Sequence, residues 1–252
     1  MVYGLAAALA VMARRPQDVV RIAHAKVARK PLAPALREAA RRRIAYREVG
    51  DDELARIAGA VHHEGVCLLV REQPAPSLEQ LAARTPPTGF LVALDRVANP
   101  HNIGAILRSA AFFGASGLLI AGPASKRAGL PPAAVRVAEG GAEHVPAVRV
   151  AELAPALRQL AQSGIAIVGA DLRAPQALAE LRWPRRALLV LGSEELGLSP
   201  AVRAACATVV HIAGKGAVES LNVSVAAGVL MASFAAAAGV GESGQLRRPE
   251  RR

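Results

Sequence analysis

Three short polar stretches follow apolar runs in the second half of the chain, and each leads into a helical sequence. They occupy residues 99–108, 191–199 and 215–226. Their chemically useful members are Asn102, Arg108, Gly192, Glu194, Gly197, Ser220 and Asn222. Glycine lets a ligand approach the backbone closely, and amide, hydroxyl, carboxylate and guanidinium groups can orient that ligand. The three stretches therefore predict a site that binds and positions a substrate.

Each stretch also has a purely structural interpretation. Asn99 or Asn102 would cap a helix with Arg108 on its surface, and Glu194 would be a solvated loop carboxylate. Asn102 and Arg108 are six residues apart, so they lie on different faces of a regular helix. Their side chains converge only if Asn102 belongs to the turn before the helix.

The elements that must position these residues begin at Phe90, where short apolar runs alternate with helical sequences. This alternation predicts a parallel sheet covered on both faces, whose ligands bind at the carboxyl ends of the strands. The predicted strands are 90–94, 118–121, 165–170, 187–191 and 208–211. The predicted helices are 102–113, 132–138, 151–163 and 222–238, and another starts at Ser199 and Pro200.

The first 72 residues read as a separate αβ unit. Helices are predicted over 2–12, 32–42 and 51–58, and strands over 19–25, 44–49 and 65–70. Residues 73–89 are rich in proline and polar residues, a composition that indicates a linker. Residues 241–252 contain four arginines and form a basic tail.

The net charge of +11 is shared between the two parts of the chain. Residues 1–89 contain 14 Lys and Arg against 9 Asp and Glu, and residues 90–252 contain 17 against 11. This distribution suits a polyanion that contacts both parts, although an arginine-rich genome composition gives the same count. Aromatic residues make up only 3% of the chain, which argues against base stacking as the main mode of nucleic-acid binding.

The number of cysteines and the hydropathy of the chain indicate the cellular compartment in which the protein works. Cys67 and Cys206 are too few for a disulfide framework, so we predict a reducing, cytoplasmic environment. The apolar residues 1–13 are followed by arginines rather than preceded by them, which is the wrong polarity for a signal peptide. Residues 223–240 are built from Ala, Gly and Ser rather than Leu and Ile, so they predict a core or dimer-interface helix and not a membrane span.

Two further site classes are disfavoured. His62, His63 and Cys67 lack the ligand spacing of a zinc site, so we predict no metal. Gly214 and Gly216 lack the remaining glycine of a dinucleotide fingerprint, which disfavours an NAD-dependent oxidoreductase.

In their order and spacing, the three polar stretches resemble motifs 1, 2 and 3 of the SpoU (TrmH-type) RNA ribose 2'-O-methyltransferases of the SPOUT superfamily. The resemblance covers residues 2–238 and implies an α/β fold with two domains. A small L30-like domain that binds RNA would span 1–72. After the linker 73–89, a SPOUT methyltransferase domain with a parallel sheet and a deep trefoil knot would span 90–240, ahead of the flexible tail 241–252.

The same resemblance implies residue roles. Arg108 would assist removal of the ribose 2'-hydroxyl proton or hold the target phosphate, supported by Asn102, Glu194, Ser220 and Asn222. S-adenosylmethionine would contact Gly192, Ile212 and Leu221, together with Leu191 and Gly197. No metal would be needed, because the methyl group of this cofactor is already activated.

The implied partners are structured RNA, rRNA in preference to tRNA, and a second copy of the chain packed through the knot region. The alternative is a non-catalytic RNA-binding or ribosome-assembly factor with the same fold. Replacement of Arg108 or Asn222 would have favoured that alternative, and both residues are present.

Overall fold

The computed structural model describes residues 1–122 and 129–239, so the predicted tail 241–252 lies outside the described residues. The chain begins with a small four-stranded sheet in the order β1-β4-β2-β3, where β2 and β3 are parallel and the other pairs antiparallel. Its elements are β1 (Val2–Tyr3), α1 (Leu5–Arg14), β2 (Val19–His24), α2 (Ala33–Arg41), β3 (Ala45–Glu48), α3 (Asp51–Ala58) and β4 (Val66–Val70).

Helices cover this sheet on both faces. Successive side chains of a strand point to opposite faces, so the neighbours Ile22 and Ala23 of β2 enter different apolar clusters. The Ile22 cluster is completed by α1 and α2, and the Ala23 cluster by Leu54 of α3. The prediction of α3 over 51–58 is confirmed at both ends.

The second sheet has seven strands, all parallel, in the order β7-β6-β5-β10-β8-β11-β9. In chain order, the first elements of this part of the chain are α4 (Leu78–Arg84), β5 (Gly89–Asp95), α5 (Pro100–Phe112), β6 (Leu118–Ala121), α6 (Pro132–Val137), β7 (Ala147–Val150), α7 (Leu153–Gln162) and β8 (Ala166–Ala170). The remaining elements are β9 (Gln176–Ala177), β10 (Arg186–Gly192), α8 (Pro200–Ala204), β11 (Thr208–His211) and α9 (Val223–Ala237). The predicted α/β fold with a parallel sheet flanked by helices is confirmed.

Burial on both faces explains why the strands read as continuous apolar runs. Every residue of β5 is buried, and its side chains alternate between two clusters. Phe90, Val92 and Leu94 pack toward α5 and α9, whereas Leu91 and Ala93 pack toward α4 and α7.

The segment 73–89 is more structured than a linker. Its second half forms α4, and Leu81 of that helix is fully buried against the large sheet. The helix begins with a capping box, in which Ser77 accepts from the backbone N–H of Gln80 and the Gln80 side chain accepts from the backbone N–H of Ser77. This Ser-x-x-Gln pattern is present in the sequence, but the surrounding prolines favoured the prediction of a linker over that of a helix.

Two edge elements of the large sheet were also not predicted. The sequence of β7 is interrupted by Arg149, and β9 contains only two residues, so neither gives an uninterrupted apolar run. The strands β6 and β11 lie where they were predicted, over 118–121 and 208–211.

Ion pairs join the two parts of the chain where α1 meets α5 and α6. Arg15 donates from Nε and Nη2 to the Glu143 carboxylate at 2.6 and 2.8 Å. The side chains are only 15% and 8% exposed, and the hydrogen bond from Arg15 to Glu143 raises the pKa of the arginine. A second pair, between Arg136 and Glu64 at 3.1 Å, is more exposed.

Replacing Arg15 by Ala should destabilise the protein by roughly 2–4 kcal/mol, because the Glu143 carboxylate would lose both of its Arg15 hydrogen bonds in a position that is only 8% exposed. Urea unfolding at neutral pH measures this loss. The matched control is Arg47→Ala, which breaks an exposed pair with Glu53 and should cost less than about 1 kcal/mol. Equal losses in the two variants would contradict a special role for the junction pair.

Candidate active site

The carboxyl ends of β5 and β10 lie side by side, with Gly192 in register with Asp95. The first polar stretch therefore leaves the sheet next to the second. Asp95 is almost fully buried, and its Oδ2 accepts from the backbone N–H of Ser199 at 2.6 Å. This bond ties the end of the second stretch to the end of β5, the strand that precedes the first stretch.

Helix α5 begins earlier than predicted. Asn99 is its N-cap and accepts from the backbone N–H of His101 at 2.9 Å, and Pro100 occupies the first helical position. Asn102 is consequently inside the first turn of the helix and not in the preceding turn. The condition for convergence with Arg108 is not met within one chain, and the two side chains lie on different faces of α5.

The Glu194 carboxylate, in the second stretch, accepts hydrogen bonds from residues of the first and third stretches. Its Oε1 accepts from Asn102 Nδ2 at 3.1 Å, from Asn222 Nδ2 at 2.6 Å and from the backbone N–H of Val223 at 3.1 Å. Asn222 Nδ2 also lies 3.2 Å from Asn102 Oδ1. Three of the predicted catalytic residues thus form one hydrogen-bonded cluster, the asparagine–glutamate cluster.

Asn222 has a second task as the N-cap of α9, where its Oδ1 accepts from the backbone N–H of Ser224 at 2.9 Å. Asn222 therefore caps α9 with its Oδ1 and donates to Glu194 with its Nδ2. Because a helix N-terminus carries partial positive charge, it also favours the negative charge of Glu194.

The turn after β10 explains why glycine occupies positions 192 and 197. A Cβ on Gly192 would lie 2.2 Å from the backbone carbonyl of Gly197. Gly197 has φ +62° and donates its N–H to the carbonyl of Ser193 at 2.9 Å, which closes the turn. Only residues without a side chain fit this approach, so the turn presents backbone groups at the edge of the sheet.

The predicted cofactor residues lie along this edge and on the segment 213–221. Leu191 is buried in the sheet, Ile212 is half-buried against the core, and Leu221 is exposed. Residues 213–221 are all exposed, and within the described part of the chain none of their backbone groups is hydrogen-bonded. Ser220 lies on this segment and makes no hydrogen bond to any described residue, so it stands apart from the asparagine–glutamate cluster.

Arg108 lies elsewhere, in an ion pair with Glu139. Its Nη1 is 2.6 Å from Glu139 Oε1, and both side chains are about half exposed. The structure therefore separates the predicted proton acceptor or phosphate anchor from the other predicted catalytic residues.

Sequence reasoning missed two carboxylates and two arginines that lie around the turn after β10. Besides Asp95, Asp171 follows β8 directly, is buried, and accepts from the backbone N–H of Arg173 at 2.8 Å. Its other oxygen lies 3.0 Å from Arg203 Nη1, and a Cβ on Gly197 would lie 3.0 Å from that oxygen. Arg96 donates to the carbonyl of Gly197 at 3.0 Å. The available signal was the position of both aspartates at the ends of apolar strands.

The environment of Asp171 shifts its acidity. Burial acts to raise its pKa, but the N–H of Arg173 and the positive charge of Arg203 outweigh that effect and hold the pKa below its ordinary value of 3.8. Asp171 is therefore an ionised, structural group beside the turn after β10.

The described residues contain neither a cluster of metal-binding side chains nor a helix that could span a membrane. Within 1–122 and 129–239, no group of three or more histidine, cysteine, aspartate or glutamate side chains is arranged to hold a metal ion. In the same part of the chain no helix is long and apolar enough to cross a membrane, and α9 has 15 residues.

Comparison with known proteins decides the family. Residues 89–232 match the SpoU rRNA Methylase family. The chain belongs to this family. Residues 1–76 separately match the substrate-binding domain named for RNA 2'-O ribose methyltransferases. The resemblance inferred from the three polar stretches is confirmed.

Relatives of this SpoU chain carry matching names. It is 35% identical over 233 residues to the uncharacterized tRNA/rRNA methyltransferase YfiF of Escherichia coli O157:H7, covering 92% of this chain and 67% of YfiF. It is 38% identical over 190 residues to an uncharacterized tRNA/rRNA methyltransferase of Mycobacterium ulcerans, covering 75% of this chain and 61% of that protein. The chain thus spans about three fifths to two thirds of the length of these relatives.

A solved structure resembles the SpoU chain over nearly its whole length. The SpoU methyltransferase AviRb from Streptomyces viridochromogenes, in complex with the cofactor AdoMet, matches with a TM-score of 0.77 and 27% identity. The match covers 95% of this chain and 90% of AviRb.

Replacing Gly192 by Ala should destabilise the SpoU chain by about 1–3 kcal/mol, because the new methyl group meets backbone rather than a movable side chain. Thermal or urea unfolding measures the effect. Gly50→Ala is the control, since a Cβ there meets nothing within 4 Å, and it should cost less than about 1 kcal/mol. A wild-type unfolding curve for Gly192→Ala would show that the turn after β10 has room to open.

Replacing Asp171 by Asn should lower stability at pH 7, with a deficit that shrinks as the pH falls. A carboxyl whose folded pKa is lowered stabilises the protein above its ordinary pKa of 3.8, and this contribution disappears as the pH drops through the folded value. Urea unfolding of both proteins between pH 7 and pH 3 tests this, with the exposed Glu72→Gln as control. A deficit that does not change with pH would mean that Asp171 acts through packing alone.

Proposed function

We propose that the SpoU chain transfers a methyl group from S-adenosylmethionine to the 2'-hydroxyl of a ribose in structured RNA. The observation that carries this proposal is the asparagine–glutamate cluster, in which one carboxylate oxygen joins residues from all three polar stretches. The cluster lies at the carboxyl edge of a parallel sheet, where ligands of such folds bind.

The residues at this edge fit S-adenosylmethionine. The backbone of residues 213–221 is free of hydrogen bonds within the described chain, so its amides and carbonyls are available to an adenosine and an amino-acid moiety. The glycine turn at 192–197 permits close approach, and Ile212 and Leu221 offer apolar surface to a ring. AviRb, which shares this fold over nearly the whole chain, is bound to the same cofactor.

The bound cofactor supplies a methyl group that is already activated on a sulfonium, so the protein needs chiefly to position the ribose oxygen and to assist loss of its proton. Glu194 holds both asparagines in one orientation through charge-assisted hydrogen bonds. The amides of Asn102 and Asn222 are then rigid groups beside the cofactor loop. A rigid arrangement of this kind favours alignment of the two reacting atoms.

Arg108 acts at the RNA backbone in this proposal. A guanidinium stays protonated and is therefore a poor base, but it binds phosphate with two parallel hydrogen bonds. We infer that Arg108 anchors the phosphate next to the target ribose, and that a phosphate oxygen assists proton removal.

A homodimer accounts for the separation of Arg108 from the asparagine–glutamate cluster. Val225 and Val229 lie four residues apart in α9 and are exposed, so they form an apolar stripe along the start of this helix. A second copy packed on this stripe, through the predicted knot region, would cover it and bring one copy's Arg108 toward the cluster of the other.

Each part of the chain has its own task in this proposal. Residues 1–72 bind the RNA, and residues 90–240 carry out the transfer in the cytoplasm. The match of residues 1–76 to a substrate-binding domain and of residues 89–232 to an rRNA methylase family favours rRNA over tRNA.

Methyl transfer from labelled S-adenosylmethionine to total RNA of a strain lacking this gene should place label in a 2'-O-methylated nucleotide. Arg108→Ala should lower the rate by about 100-fold or more, as expected for a group that positions the reacting atoms. Arg158→Ala removes another exposed positive charge, from a helix on the opposite side of the sheet, and should retain activity.

Three results would contradict the proposal. Label on a base would exclude ribose transfer. RNA binding without label or cofactor binding would favour the non-catalytic ribosome-assembly factor. Full activity of Arg108→Ala would remove Arg108 from the site.

A further inference from the structure

A crevice opens where α1 meets the outer face of α5 and the turn after α6. It has a volume of about 320 Å³, and its lining includes Ala10, Arg108, Phe112, Glu139, Gly140 and His144. This volume lies at the lower end of the range for small-ligand sites. The crevice lies on the side of α5 away from Asn102, so it is separate from the asparagine–glutamate cluster.

Phe112 is exposed in a way that packing does not explain. The chain has only seven aromatic residues, and Phe112 has the most exposed large aromatic side chain, at 78%. It lies four residues after Arg108, so the two side chains are neighbours on one face of α5. An exposed ring beside a guanidinium is the pair of groups that a nucleotide requires, because the ring stacks a base and the guanidinium binds a phosphate.

Glu139 occupies the position that a phosphate would take. Its carboxylate is 2.6 Å from Arg108 Nη1, and the two side chains are 51% and 58% exposed. Exposed ion pairs contribute little stability, so an RNA phosphate can replace this one. The residue also has φ +46° just after α6, a left-handed conformation that glycine or asparagine adopts more readily. The backbone therefore leaves the direction of α6 at this residue.

We propose that this crevice is the subsite for a nucleotide that flanks the methylated ribose. The base of this nucleotide stacks on Phe112, and its phosphate replaces Glu139 as the ion-pair partner of Arg108. In the free protein Glu139 is a positioning residue that keeps the guanidinium at the mouth of the crevice. The subsite rests on the proposed function for its place next to a methylated ribose, but its ability to bind a nucleotide does not depend on methyl transfer.

Two probes separate base stacking from charge: a fluorescein-labelled 12-residue oligoadenylate RNA and inorganic polyphosphate of similar length. Phe112→Ala and Phe112→Leu should each weaken oligoadenylate binding by about 5- to 150-fold, the loss that corresponds to one base stack. Phe112→Tyr keeps a ring and should bind within about threefold of wild type. Polyphosphate has no bases, so its affinity should be the same in all Phe112 variants.

Glu139→Gln tests the exchange of partners at Arg108. Removing the competing carboxylate should tighten binding of both probes, and the gain should disappear in an Arg108→Ala background. A gain that persists without Arg108 would mean that Glu139 acts only as a general negative charge, and would overturn its role in the subsite.

Three other results would overturn the stacking role. Unchanged oligoadenylate binding by Phe112→Ala would exclude it, and so would an equal loss with polyphosphate. A change from dimer to monomer in sedimentation would assign Phe112 to a protein interface. Methyl transfer is measured separately. Oligoadenylate binding that depends on Phe112, in the absence of methyl transfer, would retain the subsite and reject the proposed function. Methyl transfer that Phe112→Ala leaves unchanged would retain the proposed function and reject the subsite.

Discussion

A single carboxylate oxygen sets the geometry of the candidate site. Oε1 of Glu194 accepts three N–H donors, two of them from Asn222 and Val223 at the start of α9 and one from Asn102 in α5. Asn102 and Asn222 are 120 residues apart in the chain. A charged acceptor with several donors is both stronger and more directional than a neutral one, so the three stretches are held in one arrangement.

The parallel sheet brings the three stretches within reach of that carboxylate. β5 and β10 are neighbours, and the buried Asp95 accepts from the backbone N–H of Ser199 at the end of the turn after β10. The buried Asp171 lies beside the same turn and pairs with Arg203 of α8. The turn after β10 is therefore held by a hydrogen bond to a buried carboxylate, and its close backbone approach requires glycine at position 192. Rigid support beneath an exposed site is what a reaction that depends on alignment requires.

The sequence predicted the interior of this molecule better than its connections. β6, β11 and α3 have the predicted boundaries because apolar periodicity and an acidic helix start are local signals. α4 was missed because prolines surround its capping box. The positions of Arg108 and Ser220 relative to Asn222 depend on where α5 begins and on the path of an exposed segment, and neither is encoded in the spacing of the motifs.

The junction between the two parts of the chain has a mechanical consequence. Glu143, which binds Arg15 of the first part, belongs to the same short turn as Gly140 and His144 of the crevice. Any tilt of the first sheet against the second must move this turn, and with it the width of the crevice. Substitutions at the junction and in the crevice therefore share a structural element, and their effects on RNA binding should not be additive.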